Sequence, residues 1–317
     1  MNERKRALSL LNLISTPVPV LNSLGLETSI GLSSEDPVGG RHPSETYRAY
    51  LTIYSPDGVL TNRLILGDIP PHRRRFFHLS ELISPTFSGK DHLTVVHRIP
   101  ERLLINGRRP EDIVELSSEE GDYGMFRGVV QYSFPGQGSG NGSVIYETPH
   151  GLNTKRPGKP LPTTLTFTSK VVLSKTVNTT LCLMYYSMDP GHDTKAHYEF
   201  SFFGPTGERV ATGSREFRPF TVELIDVKET IPPSEVERAT DPVDGLSCFG
   251  FVGYSTDGVL IPLILNVDPS KRAVALEHSH PAQSYTYPFR PEDKQKFKVR
   301  AVRQWKALSS VESPVPV

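Results

Sequence analysis

Two stretches 149 residues apart read almost as one pattern, YLTIYSPDG at 50–58 and EFSFFGPTG at 199–207. In each, a strand-like alternation runs into a turn with Pro at its first corner and Gly closing it, the chemistry of a type I turn between antiparallel strands. The likeness continues through a second strand, Val59 to Leu66 or Arg209 to Phe217, then a Pro-containing corner, Pro70-Pro71 or Pro219. Further on, Val144-Ile145-Tyr146-Glu147 with His150 resembles Val274-Ala275-Leu276-Glu277 with His280. This second match is offset by 130 residues, so the first copy carries about 19 extra residues between the two matches. Residues 101–124 are charged and partly helical in pattern, and Pro110-Glu111-Asp112 has the form of a helix start. They supply the insertion.

An internal repeat of this size means two similar folding units. Short strands rich in β-branched and aromatic residues, separated by turn signals, place those units in the all-β class. The expected fold is a tandem β-sandwich, immunoglobulin-like or related, produced by internal duplication. A chain of 317 residues divides accordingly. An N-terminal arm takes 1–24, repeat one 25–155, a Pro-rich linker 156–162, repeat two 163–288 and a C-terminal tail 289–317. In the arm, Leu10, Leu11 and Ile14 fall on one face of a short amphipathic helix. The tail from Pro291 fits a helix with Phe297, Ala301, Trp305 and Leu308 on one side, and equally a strand with Lys294, Lys296, Lys298 and Arg300 on one face. Pro-Val-Pro-Val occurs at both 17–20 and 314–317.

Charge excludes one class of partner. Basic and acidic residues number 35 each, so no whole-molecule field draws the chain to nucleic acid or an anionic membrane. No apolar run reaches the roughly 20 residues that span a bilayer. The basic N-terminus leads into an apolar stretch broken by Ser9 and Asn12, with no Ala-x-Ala-type site after it. Cys182 and Cys248 are separated as an inter-sheet bridge would be, yet the only Trp lies outside the interval. They are read as two buried, reduced thiols, which together with the missing cleavage site places the chain in the cytoplasm rather than outside the cell.

The sequence holds no Cys-x-x-Cys, His-Glu-x-x-His, Gly-x-Ser-x-Gly or phosphate loop. The Gly-rich run 136–142 lies between two strand patterns and reads as a hairpin loop. Chemistry is therefore sought in the repeated strand ends. Glu147, His150, Glu277, His278 and His280 offer imidazoles and carboxylates suited to a divalent transition metal, Zn²⁺ or Fe²⁺. Alternation puts His278 and His280 on one face and Glu277 on the other, so a shared ion needs a turn at 279–281. A weaker trio is His192, Asp193 and His197. Arg73, Arg74 and Arg75 form the densest basic run, an anion site or a charged sheet edge. Two functions follow. The first is a non-catalytic binding or assembly protein, with a protein partner or self-association. The second is a metal-dependent enzyme at the Glu/His strand ends.

Overall fold

The computed structural model describes residues 14–34, 46–83, 87, 89–104, 107–113, 129–137, 144–147, 164–187, 191–255 and 260–278. The first half contains β1 (Ile14–Val20), β2 (Glu27–Ser33), β3 (Tyr47–Tyr54), β4 (Leu60–Ile69), β5 (Arg74–His78), β6 (His92–Pro100), β7 (Val129–Ser133) and β8 (Val144–Glu147). The second contains β9 (Thr164–Leu173), β10 (Asn178–Tyr185), β11 (Ala196–Phe203), β12 (Arg209–Phe217), β13 (Thr221–Asp226), β14 (Ser247–Ser255), β15 (Leu260–Asp268) and β16 (Ala273–His278).

These strands build four antiparallel sheets. Sheet I is β1-β6-β3-β4 and sheet II is β5-β2-β7-β8; sheet III is β9-β14-β11-β12 and sheet IV is β13-β10-β15-β16. Each strand of the second half takes the sheet position of the strand eight earlier. The protein is an all-β tandem sandwich. In an immunoglobulin domain the second strand lies between the first and fifth, and the sixth between the third and seventh. Here β2 keeps β5 and β6 keeps β3, but β7 stands beside β2 and β1 beside β6. The first and seventh strands have exchanged sheets, so the fold is related to that pattern and rearranged from it.

The hairpins form where the turn chemistry puts them. Gly58 N–H donates to the Ser55 carbonyl at 2.9 Å and Gly207 N–H to the Gly204 carbonyl at 3.0 Å. The two Pro-containing corners share a further feature, a non-glycine residue at positive φ: His72 at 56° and Phe220 at 63°. The connection from β6 to β7 runs over 101–128, against 256–259 between β14 and β15. Its helix Glu101–Leu104 and helical residues 110–113 lay Leu103, Leu104 and Ile113 over Tyr50 and Ile99, on the outer side of sheet I.

Two expectations change. Residues 14–20, read as part of an arm, are the edge strand β1, with Pro17 opposite Val95 and Pro19 opposite Leu93. Proline lacks the N–H a ladder needs, and an edge strand is where a sheet tolerates that loss. The Pro19 carbonyl accepts from Tyr132 Oη at 2.9 Å. Cys182 is buried as expected, but Cys248 is exposed, and both are free thiols. Leu181 and Leu183 point to the core between sheets III and IV, as do Phe249 and Phe251. The alternating positions carrying the two cysteines point away from that core, so no bridge crosses it. The proposed linker 156–162, the residues before Ile14 and the tail 291–308 lie outside the described residues.

Two apolar clusters hold the molecule together. One fills the second sandwich, with Tyr185, Tyr198, Phe200, Phe202, Phe217, Phe249 and Phe251 as its largest members. The other fills the first sandwich and continues, without a break, onto Cys182, Met184, Val222, Leu263 and Leu276 on the far face of sheet IV. The hairpin turn after β3 docks at this seam, where the Tyr54 and Phe220 rings stack 4.7 Å apart and 5° from parallel. Gly58 has φ +81°, and a Cβ there would stand 2.2 Å from the Pro219 carbonyl oxygen; Gly207, with φ +87°, faces open space. No helix among the described residues is long and apolar enough to cross a membrane.

The two turn glycines therefore differ in a testable way. Gly207→Ala carries only the backbone strain, about 1 kcal/mol, whereas Gly58→Ala adds a collision with backbone and is expected to lose roughly 2–4 kcal/mol in urea unfolding.

Candidate functional site

A cleft of about 600 Å³ lies where the first half meets the second. Its lid is the short 3₁₀ turn Asn22–Leu24, which contributes Ser23 and Leu24. The turn is pinned from the first sandwich. Asp91 accepts from Ser23 N–H at 2.9 Å and from Ser23 Oγ at 2.5 Å, and Asn22 Nδ2 donates to the carbonyls of Phe87 and Lys90.

One wall belongs to sheet III. On β12, Phe217 and Ala211 face the core, and the same alternation turns Gly213 and Arg215 inward. Gly213 lies under the Phe200 ring, which a Cβ would approach to 2.4 Å. The Arg215 guanidinium stands 6.0 Å from the Phe200 centroid and donates to its own neighbour, the Ser214 carbonyl, at 2.9 Å. The facing wall comes from sheet IV and the helix Val227–Thr230, with Thr180, Leu224, Asp226, Glu229 and Thr230. Asp226 caps that helix by accepting from Glu229 N–H at 3.2 Å, and its other oxygen accepts from Asn178 Nδ2 at 2.9 Å. Thr230 Oγ1 donates to the Asp226 carbonyl at 2.6 Å.

The groups with strongly displaced proton affinities lie elsewhere, in the cores. His97 has Ser15 Oγ 2.7 Å from Nδ1 and Thr52 Oγ1 3.0 Å from Nε2. Burial, aided by the Arg63 charge, pushes its pKa down to about 3. Burial likewise drives the Tyr132 and Tyr198 phenols and the Cys182 thiol well up.

The expected site residues are distributed as follows. Glu147 ends β8 opposite Val129, and Glu277 and His278 end β16 opposite Ile264 and Leu263. β16 lies against β7 and β8, so the backbones of the two repeated strands are neighbours. His150 and His280, and the side chains of Glu147, Glu277 and His278, lie outside the described residues. Of the weaker trio, His192 Nε2 is 2.7 Å from Tyr185 Oη and His197 pairs with Glu199 at 3.6 Å; among the described residues no three His, Cys, Asp or Glu converge on a metal position. Arg74 and Arg75 open β5, the edge strand of sheet II, just after Arg73. The run does not present one cationic face: Arg75 donates to the Asp68 carbonyl at 2.7 Å and lies over Phe77, while alternation turns Arg74 the other way.

The cleft residues went unread in the sequence, although one signal was there. Arg215 interrupts the inward positions of β12 between Ala211, Gly213 and Phe217, and a charge at core parity marks either an edge device or a site.

No family model matches the chain, and no curated protein matches it. Three solved structures are among those with some similarity of shape. A β-glucuronidase from glycoside hydrolase family 2 shares 9% identity over 84% of this chain and 23% of its own, with a TM-score of 0.16. A putative β-galactosidase from Bacteroides fragilis shares 11% over 83% and 32%, with a TM-score of 0.16. VP2 of infectious bursal disease virus, solved as a subviral particle, shares 11% over 96% and 95%, with a TM-score of 0.19. The chain thus spans about a quarter to a third of the length of the two hydrolases. Scores this low carry no argument, and the class of tandem β-sandwich rests on the four sheets themselves.

His97 supplies a pH test. Its folded pKa lies below its ordinary 6.5, so the unfolded chain takes up the proton first as pH falls. The stability tied to the neutral ring is intact above 6.5 and is lost as pH falls from there toward 3. Between pH 7 and 5, wild type is expected to lose about 2 kcal/mol more than His97→Gln in urea unfolding. His92, whose pKa burial also lowers, contributes equally to both proteins and cancels from the difference.

Proposed function

We propose that the chain is a non-catalytic binding protein whose two sandwiches form one body around a ligand seat, the cleft beneath Ser23 and Leu24. The observation that carries this reading is the division of labour between cleft and cores. The cleft has the size of a small-ligand site and is lined by polar groups from both halves. Its recorded hydroxyl contacts are structural, Ser23 on Asp91 and Thr230 on a backbone carbonyl, and neither sets a nucleophile against a base. The strongly shifted groups, His97, Tyr132, Tyr198 and Cys182, are buried in the cores.

An amide-resolved NMR titration of the full chain with a library of small polar compounds tests this. Binding is expected to shift Thr180, Thr212, Gly213 and Leu224, to disappear in Leu224→Trp, and to leave the compound chemically intact. Conversion of a bound compound, or shifts confined to another surface, would remove the reading.

A second reading rests on the neighbouring backbones of β8 and β16. If Glu147, His150, Glu277, His278 and His280 hold Zn²⁺ or Fe²⁺ for a metal-dependent reaction, purified protein carries close to one equivalent and His278→Ala loses it. Elemental analysis finding less than about a tenth of an equivalent, with no gain on reconstitution, eliminates it.

A further inference from the structure

The cleft has walls of opposite charge that form no ion pair across it among the described residues, although the Arg215 charge also acts on the Glu223 carboxyl of β13. Arg215 projects from the sheet III wall, and Glu229 stands with Asp226 on the wall opposite. Neither Arg215 nor Glu229 forms an ion pair among the described residues. Among the described residues Arg215 donates only to the neighbouring Ser214 carbonyl, through one of its five N–H groups. Asp226 is held by Asn178 and the helix N-terminus, so Glu229 is the carboxylate with its oxygens available. Two unlike charges facing across about 600 Å³ select a ligand that brings the complementary charge to each. Thr180, Gly213 and Phe200 line the space between them.

We propose that the cleft takes a small zwitterion, an α-amino acid or dipeptide with free ends, its carboxylate on Arg215 and its ammonium group toward Glu229. This rests on the cleft being a ligand seat and adds the chemical class. A guanidinium fork matches a carboxylate in two parallel hydrogen bonds, which a lysine in its place cannot reproduce. A neutral polyol leaves both charges desolvated without partners, and a simple cation or anion satisfies one wall only.

Calorimetry with the full chain tests the pairing, using alanyl-alanine, its N-acetyl form and its C-terminal amide. Free dipeptide is expected to bind wild type at least about tenfold more tightly than either blocked form, since each block removes one charged contact. Arg215→Gln is expected to abolish discrimination against the amide while keeping that against the acetylated form. Glu229→Gln is expected to do the reverse, and Arg215→Lys to restore discrimination in part. Both positions are exposed, so the variants keep the wild-type unfolding midpoint. Equal affinity for free and blocked forms, with NMR shifts still at Thr212 and Gly213, overturns the zwitterion and leaves the ligand seat standing. Binding that moves other residues and is indifferent to Leu224→Trp overturns both, and absence of binding by the free dipeptide at about 10 mM overturns the zwitterion.

Discussion

Sheet IV is buried on both of its faces, and the rest of the molecule is arranged around that fact. One face closes the second sandwich through Leu181, Leu183, Tyr185 and Ile225, while the other carries Cys182, Met184, Val222 and Leu263 into the core of the first. Each such side chain contributes about 1.5–3 kcal/mol when fully withdrawn from water. A handful of them outweighs the contacts of an ordinary, mobile domain interface. The two sandwiches are therefore one folding body, and their relative orientation is a property of a core.

Using one topology twice, the protein gives the same face opposite treatments. The outer positions of sheet II, the counterparts of that apolar face, are Ser29, Gly31, Ser33, Arg74, Phe76, His78 and Gln131. A polar face there ends the stacking: a third sandwich seated on it would bury serines and an arginine with little apolar gain. The first copy also covers the outside of sheet I with its insertion, through Ile113 over Tyr50 and Ile99. No comparable segment exists between β14 and β15, where the connection is four residues, 256–259. The matched corners diverge in the same way. His72 and Phe220 share a positive φ, but only Phe220 sits at the seam, stacked on Tyr54.

Local chemistry made much of this legible before any coordinates. The turns at Pro56-Asp57-Gly58 and Pro205-Thr206-Gly207 announce themselves because Pro presets φ and Gly accepts a positive one. The helical residues at 110–113 follow from a Pro-Glu-Asp start. The helix read at Leu10, Leu11 and Ile14 gave no strand to the Pro-Val-Pro-Val that follows, which β1 carries at a sheet edge, the place where a ladder tolerates proline. The seam was also visible in one respect. β10 reads Thr-Leu-Cys-Leu-Met-Tyr without polar alternation, the mark of a strand covered on both faces, whereas β11 alternates through His197 and Glu199. The cleft was not legible, because Ser23, Thr180, Arg215 and Glu229 come from four segments that only the packing of two halves assembles.

That assembly links the seam to the cleft. The lid turn is fastened to the first sandwich through Asp91 and the Phe87 and Lys90 carbonyls, while both charged walls belong to the second. The gap between lid and walls is thus set by how the halves meet, at Tyr54 on Phe220 and Gly58 against Pro219. A cleft fixed in this way is preorganised: a ligand entering it spends little of its binding energy on ordering side chains or closing domains. Arg215 at core parity on an edge strand would by itself be explained as a guard against strand pairing. Facing Glu229 across a space that the seam holds open, it becomes one half of a recognition pair.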